Sequence, residues 1–502
     1  MHLINSIGKA YFQTRIAAIN YFVQHPHESQ KKVLEELLDN ASETEWGKGF
    51  QYSKIKNYEQ FSATIPLQDY DSLKPYFERM QAGEKNVLWR GIIQWFAKSS
   101  GTTNDKSKYI PVSKEGLHLS HIKTGKDFLS TYLRDVPESK FFTGKGVVMG
   151  GSYHPNEINS EIFVGDVSAI LMKNLDTWIQ YFRSPGLGIA LLKNWDEKLA
   201  AIATQTMQQN VTNISGVPSW TMLLLQEVVK RRNVKFIKEV WPNVELFCHG
   251  GVGFLPYKKQ FETLIGKEIH YRNIYNASEG FFAFQDSEES CEMLLHLDNG
   301  VFYEFIPFDG HTISETKIVS LENVQLNQNY ALVISTNSGL WRYQIGDTIE
   351  FTSLHPYRIK ITGRTKQFIN VFGEEVTVDN TDSALAKTCE ALNVTIRDYT
   401  VAPQFMEGNT KGRHEWAIEF QAEPANFSDF EALLDKNLQA INSDYEAKRN
   451  QNLVLEPLCV HCLKANTFYS WLTQKNKLGS QFKIPKLSND RVVFMEILAR
   501  SN

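Results

Sequence analysis

Ser99, Ser100, Gly101, Thr102 and Thr103 stand between two short apolar runs, and chemistry is first legible there. The run before them (Ile92, Ile93, Trp95, Phe96) reads as a buried strand. A second short strand covers Tyr109 to Val112, and Ser113 is placed to cap a helix. Hydroxyls, one glycine and exposed amides at a strand end make a concave nest of donors that suits a phosphate. Lys106 and Lys108 add positive charge close by. The alternative is a plain polar turn. No glycine stands at Walker spacing before a Gly-Lys-Ser/Thr anywhere in the chain, so this is not a P-loop.

Four further blocks carry reactive types. In Tyr275-Asn276-Ala277-Ser278-Glu279-Gly280 an aromatic precedes a carboxylate by four residues on a strand-to-turn segment. That offers a ring to stack on a base and an oxygen for Mg²⁺, which prefers one or two carboxylates plus substrate phosphates. The bland alternative is a strand end with a core tyrosine and a solvated glutamate. In Trp341-Arg342-Tyr343-Gln344-Ile345-Gly346-Asp347, Asp347 presented on a glycine can accept from both hydroxyls of a ribose; the alternative is a Gly-Asp hairpin turn. Gly363-Arg364-Thr365-Lys366 precedes Ile369 to Glu375, and Gln481-Phe482-Lys483-Ile484-Pro485-Lys486 is a basic loop whose proline fixes its course. Three other candidates fail. Gly251-Val252-Gly253 lacks the third glycine of a dinucleotide fingerprint. Cys459-Val460-His461-Cys462 has no second ligand pair for zinc, and no Gly-x-Ser-x-Gly elbow occurs.

The elements that must hold these blocks change along the chain. Residues 1–90 read as helices and connections, with Pro66 and Pro75 marking breaks. A helix ending before Pro137 follows the first loop, then a strand running into a Gly-Gly turn within Gly144 to His154. Gly216, Val217, Pro218 and Ser219 lead into a helix whose Lys230, Arg231 and Arg232 suit its C-terminal dipole. Short strands dominate from about Val244 to Arg364. Beyond them the pattern becomes helix (Val376 to Leu392), strand (Tyr399 to Phe405), strand (Trp416, Ile418, Phe420) and a helix opened by a Ser428-x-x-Glu431 capping box. The expected fold class is mixed α/β and α+β. A large N-terminal domain, 1–362, has several sheets flanked by helices; a small mobile α+β domain, 363–502, joins it through a hinge at Gly363 to Gln367.

At 502 residues a division into two or more domains is expected. Lys+Arg number 53 against Asp+Glu 57, a formal net charge of −4, which points to no nucleic-acid or membrane partner. Five cysteines make no disulfide framework and fit a reducing compartment. The first residues lack the apolar core of a signal peptide and repeat at helical spacing, so a cytoplasmic protein is expected.

Taken in order, the blocks resemble those of the GH3 family of acyl acid amido synthetases, within the adenylate-forming enzymes. The family's Ser-Ser-Gly-Thr-Thr phosphate loop is matched by Ser99 to Thr103, its Tyr-x-x-Ser-Glu block by Tyr275, Ser278 and Glu279, and its Arg-x-x-Gly-Asp region by Arg342 and Gly346-Asp347. Two departures stand out. Asp105 occupies a place where the family often has a second glycine, and one extra residue separates Arg342 from Gly346.

The resemblance implies a ligase that uses ATP and Mg²⁺ to adenylate a carboxylic acid and then passes the acyl group to an amine, that of an amino acid. It implies phosphate contacts from Ser99, Ser100, Gly101, Thr102 and Thr103, adenine on Tyr275 with Ser278 beside it, Mg²⁺ on Glu279 and ribose on Asp347. Arg364 sits near the ribose at the hinge, and Lys483, or else Lys486, is the catalytic lysine at the α-phosphate. Val217, Pro218, Ser219 and the segment Met149 to Tyr153 are expected at the acyl pocket, and His249 to Phe254 at the adenine. The partners implied are small molecules only, with a monomer favoured. An acyl-CoA ligase and a non-catalytic nucleotide-binding regulator remain as alternative readings.

Overall fold

The computed structural model of the chain describes residues 2–99, 108–192, 194–308, 317–365, 368–369, 374, 376–405, 412–449, 455–475 and 484–501. Among these, the organising feature is a twelve-stranded sheet that changes character midway. One half is parallel: Arg183–Ser184, Lys145–Val148, Val211–Gly216, Leu246–Gly250 and His270–Asn276 lie side by side. The other half is antiparallel. It continues from His270–Asn276 through Phe281–Phe284, Met293–Leu295, Tyr357–Arg364, Tyr343–Leu354, Asn329–Thr336, Val301–Pro307 and Val319–Ser320. His270–Asn276 is therefore the seam, with a parallel neighbour on one side and an antiparallel one on the other.

Parallel strands need crossovers, and these cover the sheet faces. Pro218–Arg232 and Lys258–Ile265 are two of them. They bury Leu224, Leu225, Val228, Phe261 and Ile265 against Ile214, Phe247 and Trp241. The antiparallel half is covered by N-terminal helices, of which Pro26–Ala41 places Val33, Leu34, Leu37 and Leu38 in the largest core. Gln30 fixes that helix to the sheet: its amide donates to Leu297 O and Val301 O and accepts from Tyr303 N. A buried network ties a second helix down, with Asp127 of Lys123–Asp135 receiving Arg15 at 2.7 Å and His296 Nε2 at 2.9 Å.

A separate four-stranded sheet holds Trp95–Ser99 between Lys108–Val112 and Phe163–Gly165. Ser113 caps the helix that follows, its hydroxyl accepting from Gly116 N. Residues beyond Phe368 build their own core on a three-stranded sheet, Thr395–Gln404, Arg413–Ala422 and Cys459–Leu463, covered by Val378–Leu392 and Phe427–Ile441. The whole is a mixed α/β protein with a large N-terminal part of several sheets and a smaller C-terminal α/β part, as the pattern predicts.

Three local expectations are corrected. Pro75 breaks nothing; it lies inside Tyr70–Gln81, because Asp69 and Ser72 form a reciprocal capping box that starts that helix earlier. Ser428 is not the cap of its helix. Asn426 takes that place by accepting from Ser428 N, and Glu431 is drawn away to accept from Val460 N. Ile92 is exposed, and the strand begins at Trp95.

Candidate active site

The strands Val211–Gly216, Leu246–Gly250 and His270–Asn276 all run the same way, so their carboxyl ends open on one edge, where ligands of α/β sheets collect. Tyr275 is the next-to-last residue of the seam strand, and the turn after it is closed by Ala277 N donating to Gly280 O at 2.8 Å. That turn presents Ser278 and Glu279. Across the antiparallel half, Asp347 and Arg364 are paired residues of neighbouring strands.

The Gly-Asp pair is not a hairpin turn. It lies within the long strand Tyr343–Leu354, at a register shift against Asn329–Thr336. Gly346 sits at φ 87°, a conformation that costs an L-side chain strain and that glycine adopts freely. The bulge aims Asp347 at the seam. Its Oδ2 accepts from the Tyr275 hydroxyl at 2.6 Å, and its Oδ1 meets Arg364 Nε at 2.9 Å. Arg364 also donates to Ile345 O at 3.3 Å.

Burial and the Asp347 charge hold the Tyr275 phenol well above its usual range. Burial, followed by the Asp347 charge, pushes the Glu279 carboxyl from its ordinary 4.5 up to about 7. Arg364 is raised, chiefly by Asp347. Two carboxylates thus face one guanidinium, and among the described residues Glu279 has no ion-pair partner. The charges of Arg364 and Lys108 both act to lower Glu279, and burial outweighs them.

These residues line a cavity of about 1640 Å³. Ser99, Tyr275, Ser278, Glu279, Asp347 and Arg364 are all on its wall, together with His249 and Gly251 to Phe254. Ser100, Gly101, Thr102, Thr103 and Lys483 lie outside the described residues, as do Lys366 and Gln367 of the hinge segment. Val217 and Pro218 do not line the cavity, and the Ser219 side chain lies outside the described ones. They open the helix after Val211–Gly216, on the same sheet edge two strands from the seam, and Met149 follows Lys145–Val148 one strand further on.

The opposite wall comes from the C-terminal part, and most of it has no local sequence signal. Asp379, Asp382, Ile484 and Lys486 line it. Asp382, pushed up to about 6 by burial, accepts from the Tyr399 hydroxyl at 2.6 Å. Its carboxylate reaches so close to Gly253 that any side chain there would collide with it. Lys486 is buried, paired with Asp398 and set over the Tyr399 ring at 4.6 Å. Its backbone is fixed as well: Val401 N donates to Lys486 O at 2.8 Å, and the Thr400 hydroxyl to Pro485 O at 2.6 Å. Arg342, though part of a matched block, is nowhere on the cavity. It is buried against Glu304 with Nη2 at 2.8 Å, and Nη1 donates to Ser62 O and Ile65 O.

The raised Glu279 acidity has a measurable sign. A carboxyl whose folded pKa exceeds its unfolded value contributes stability below the unfolded value, and that contribution is lost as pH rises through the folded one. Glu279→Gln is therefore expected to match the unaltered protein in urea below about pH 4.5. Above pH 7 it should exceed it by on the order of 3 kcal/mol, with chelator present and nucleotide absent. Equal midpoints at pH 8.5 would refute the buried, uncompensated carboxylate.

Comparison with known proteins identifies the chain. Residues 15–269 match the GH3 family N-terminal domain, 294–364 the GH3 family central domain and 379–492 the GH3 family C-terminal domain. Similar relatives include the indole-3-acetic acid-amido synthetase GH3.3 of Arabidopsis thaliana, 22% identical over 91% of this chain and 88% of that one. Another is the 4-substituted benzoates-glutamate ligase GH3.12 of the same plant, 22% identical over 91% and 92%. Among solved structures, the GH3.15 acyl acid amido synthetase superposes with a TM-score of 0.78 at 15% identity, covering 97% of this chain and 96% of that one. A 2-hydroxyisobutyryl-CoA ligase in its postadenylation state gives 0.57 at 14% identity, over 93% and 90%. The chain belongs to the GH3 family of adenylate-forming acyl acid amido synthetases.

Proposed function

We propose that the protein activates a small carboxylic acid with ATP and joins it to the amine of an amino acid, using the cavity at the sheet seam for both steps. In the first, a carboxylate oxygen of the acid bonds to the α-phosphorus, the bond to the bridging oxygen breaks, and pyrophosphate leaves. In the second, the neutral amine bonds to the acyl carbon, the bond to the phosphate oxygen breaks, and AMP and a proton are released. Neither step asks for a protein nucleophile. The protein must hold two anions in line and offset their repulsion.

The observation that carries this reading is the convergence of Tyr275, Glu279, Asp347 and Arg364, from three separate chain segments, on one cavity wall. Asp347 keeps lone pairs for a ribose beyond the two it gives Tyr275 and Arg364. Tyr275 shows little of its ring; it serves the adenine from one edge while holding Asp347 in place. Arg364 sits beside the ribose end. Ser99 begins the phosphate loop, which Ser100 to Thr103 complete.

Mg²⁺ suits Glu279 and Asp347, since both are hard oxygen donors on one cavity wall. Bound with ATP, it would neutralise phosphate charge. The acyl group is assigned to the sheet edge beside Val217, Pro218 and Ser219. The chain is assigned domains 1–362 and 363–502, with rotation at Gly363 to Gln367 bringing Lys483 to the α-phosphate. No helix among the described residues is long and apolar enough to cross a membrane.

Exchange of labelled pyrophosphate into ATP, across a panel of aromatic and aliphatic acids, tests the first step. At least one acid is expected to support it, with AMP then released in the presence of amino acids and not of coenzyme A. Exchange with no acid would refute adenylation, and AMP release with coenzyme A alone would make the protein a thioester-forming ligase.

A further inference from the structure

Asn276 ends the seam strand one residue after Tyr275, and successive side chains leave a strand on opposite faces. Tyr275 turns to Asp347. Asn276 turns to the helical segment Gly116–Ile122, where its Oδ1 stands 2.9 Å from His121 Nδ1. An amide oxygen only accepts, so the imidazole carries its hydrogen on Nδ1. Burial depresses His121 to about 4, which leaves the ring neutral.

Gly116–Ile122 is a π-helix, a form that often marks functional sites. Two of its adjacent residues reach the seam: Ser120 Oγ accepts from Phe281 N at 3.1 Å, while His121 holds Asn276. Asn276 and Phe281 are paired across the base of the turn that presents Glu279. Both are therefore fixed from behind. With its Oδ1 engaged, the Asn276 side chain has an amide nitrogen that no described acceptor meets and that is not sealed from solvent. Asn276 lies on the wall of the seam cavity, beside Tyr275 and Glu279. A neutral N–H donor held in a fixed direction on that wall suits an oxygen that gains charge only during reaction.

We propose that Asn276 is a catalytic residue of the amide-forming step, its Nδ2–H donating to the acyl oxygen of the adenylate, and that His121 is the positioning residue that aims it. The amine lone pair bonds to the acyl carbon and the carbonyl π pair moves onto oxygen, giving a tetrahedral oxyanion that Asn276 meets. The pair then returns, the bond to the phosphate oxygen breaks, AMP leaves, and the nitrogen gives up its proton to solvent. The α-phosphate has its charged partner in Lys483. The acyl oxygen, uncharged until attack, takes an uncharged one. The proposal rests on the amide-forming reading above and adds to it the group that lowers the second barrier.

The test uses the full-length enzyme, with the acid that gives it the fastest pyrophosphate exchange and the amino acid that gives it the fastest AMP release. Acyl-adenylate is formed on the enzyme, free ATP is removed, and amide formation is followed in a single turnover at saturating amino acid. Asn276→Ala should slow that turnover by roughly 10²–10³. Asn276→Asp, which keeps the shape and the acceptor for His121, should slow it as much. Pyrophosphate exchange and the KM for the amino acid should hold, since neither meets the oxyanion. His121→Phe should slow the same turnover about tenfold, as for one lost hydrogen bond, and should add nothing on top of Asn276→Ala. His121→Asn, whose Nδ2 stands as many bonds from the backbone as the imidazole Nδ1, should keep most of the rate. An undiminished turnover in either Asn276 variant overturns the assignment. So does an equal loss in both half-reactions, or losses at His121 and Asn276 that multiply. Exchange without any amide in the unaltered enzyme is a different result and removes the amide-forming reading itself.

Discussion

Lys483→Ala is expected to slow adenylation by roughly 10²–10³, the cost of removing one charge-stabilising donor from a transition state. ATP binding should barely change, because the charge that the lysine meets grows only as pyrophosphate departs. Ile484, the next residue, lines the cavity, and Lys486 is held there by Asp398 and by the backbone bonds to Val401. A lysine already paired is a poor candidate for a charge that appears and vanishes, which is why Lys483 is preferred to Lys486. The measurement is single-turnover formation of acyl-adenylate, beside amide formation from acyl-adenylate supplied ready-made. The first should collapse and the second persist. Equal loss in both would remove Lys483 from this role.

Arg342→Ala should act on a different quantity altogether. Its guanidinium is 5% exposed and its partner Glu304 only 1%. Glu304 also accepts from the Tyr58 hydroxyl at 3.1 Å, and Arg342 ties down the carbonyls of Ser62 and Ile65. Removing one member of a buried pair leaves an uncompensated charge, at a cost of about 3–5 kcal/mol. The expected result is a large drop in the urea midpoint, with the KM for ATP unaltered in the protein that remains folded. Replacing both partners, as Arg342→Met with Glu304→Leu, should restore much of the stability. A raised KM for ATP at undiminished stability would instead return Arg342 to the active site.

Arg342 also marks where the sequence stops being informative. Tyr275, Glu279, Asp347 and Arg364 could be picked out because each stands where a β-rich run meets turn residues, and the family pattern repeats those types in that order. Arg342 belongs to the same pattern, yet its positive φ and its burial depend on Glu304 and on the Ser62 to Ile65 turn, which lie far off in the chain. The small-domain wall was illegible for the same reason. Lys486 meets Asp398 across 88 positions, and Asp382 meets Gly253 only because two separately built cores pack together. Pro75 and Ser428 show the limit at short range: Pro75 sits inside a helix started by the Asp69 and Ser72 capping box, and Asn426 takes the cap expected of Ser428. Fold class survived these errors because it rests on the alternation of strand and helix patterns over hundreds of residues.

The seam in the large sheet has a consequence for the protein's synthesis. Tyr275 ends the parallel half, whose strands have all been made once residue 276 is joined, whereas Asp347 and Arg364 belong to strands completed much later. A chain emerging from the ribosome folds what it has. Until Asp347 is out the Tyr275 hydroxyl lacks that partner, and until Arg364 follows, its guanidinium is missing beside Glu279. The later strands, Val301–Pro307 to Tyr357–Arg364, pair largely with neighbours in sequence, so they close quickly once present. The nascent chain thus carries one side of the seam cavity for a long interval and gains the other abruptly. Truncated chains ending before Asp347 have the parallel scaffold and lack the Asp347 and Arg364 side of the cavity wall.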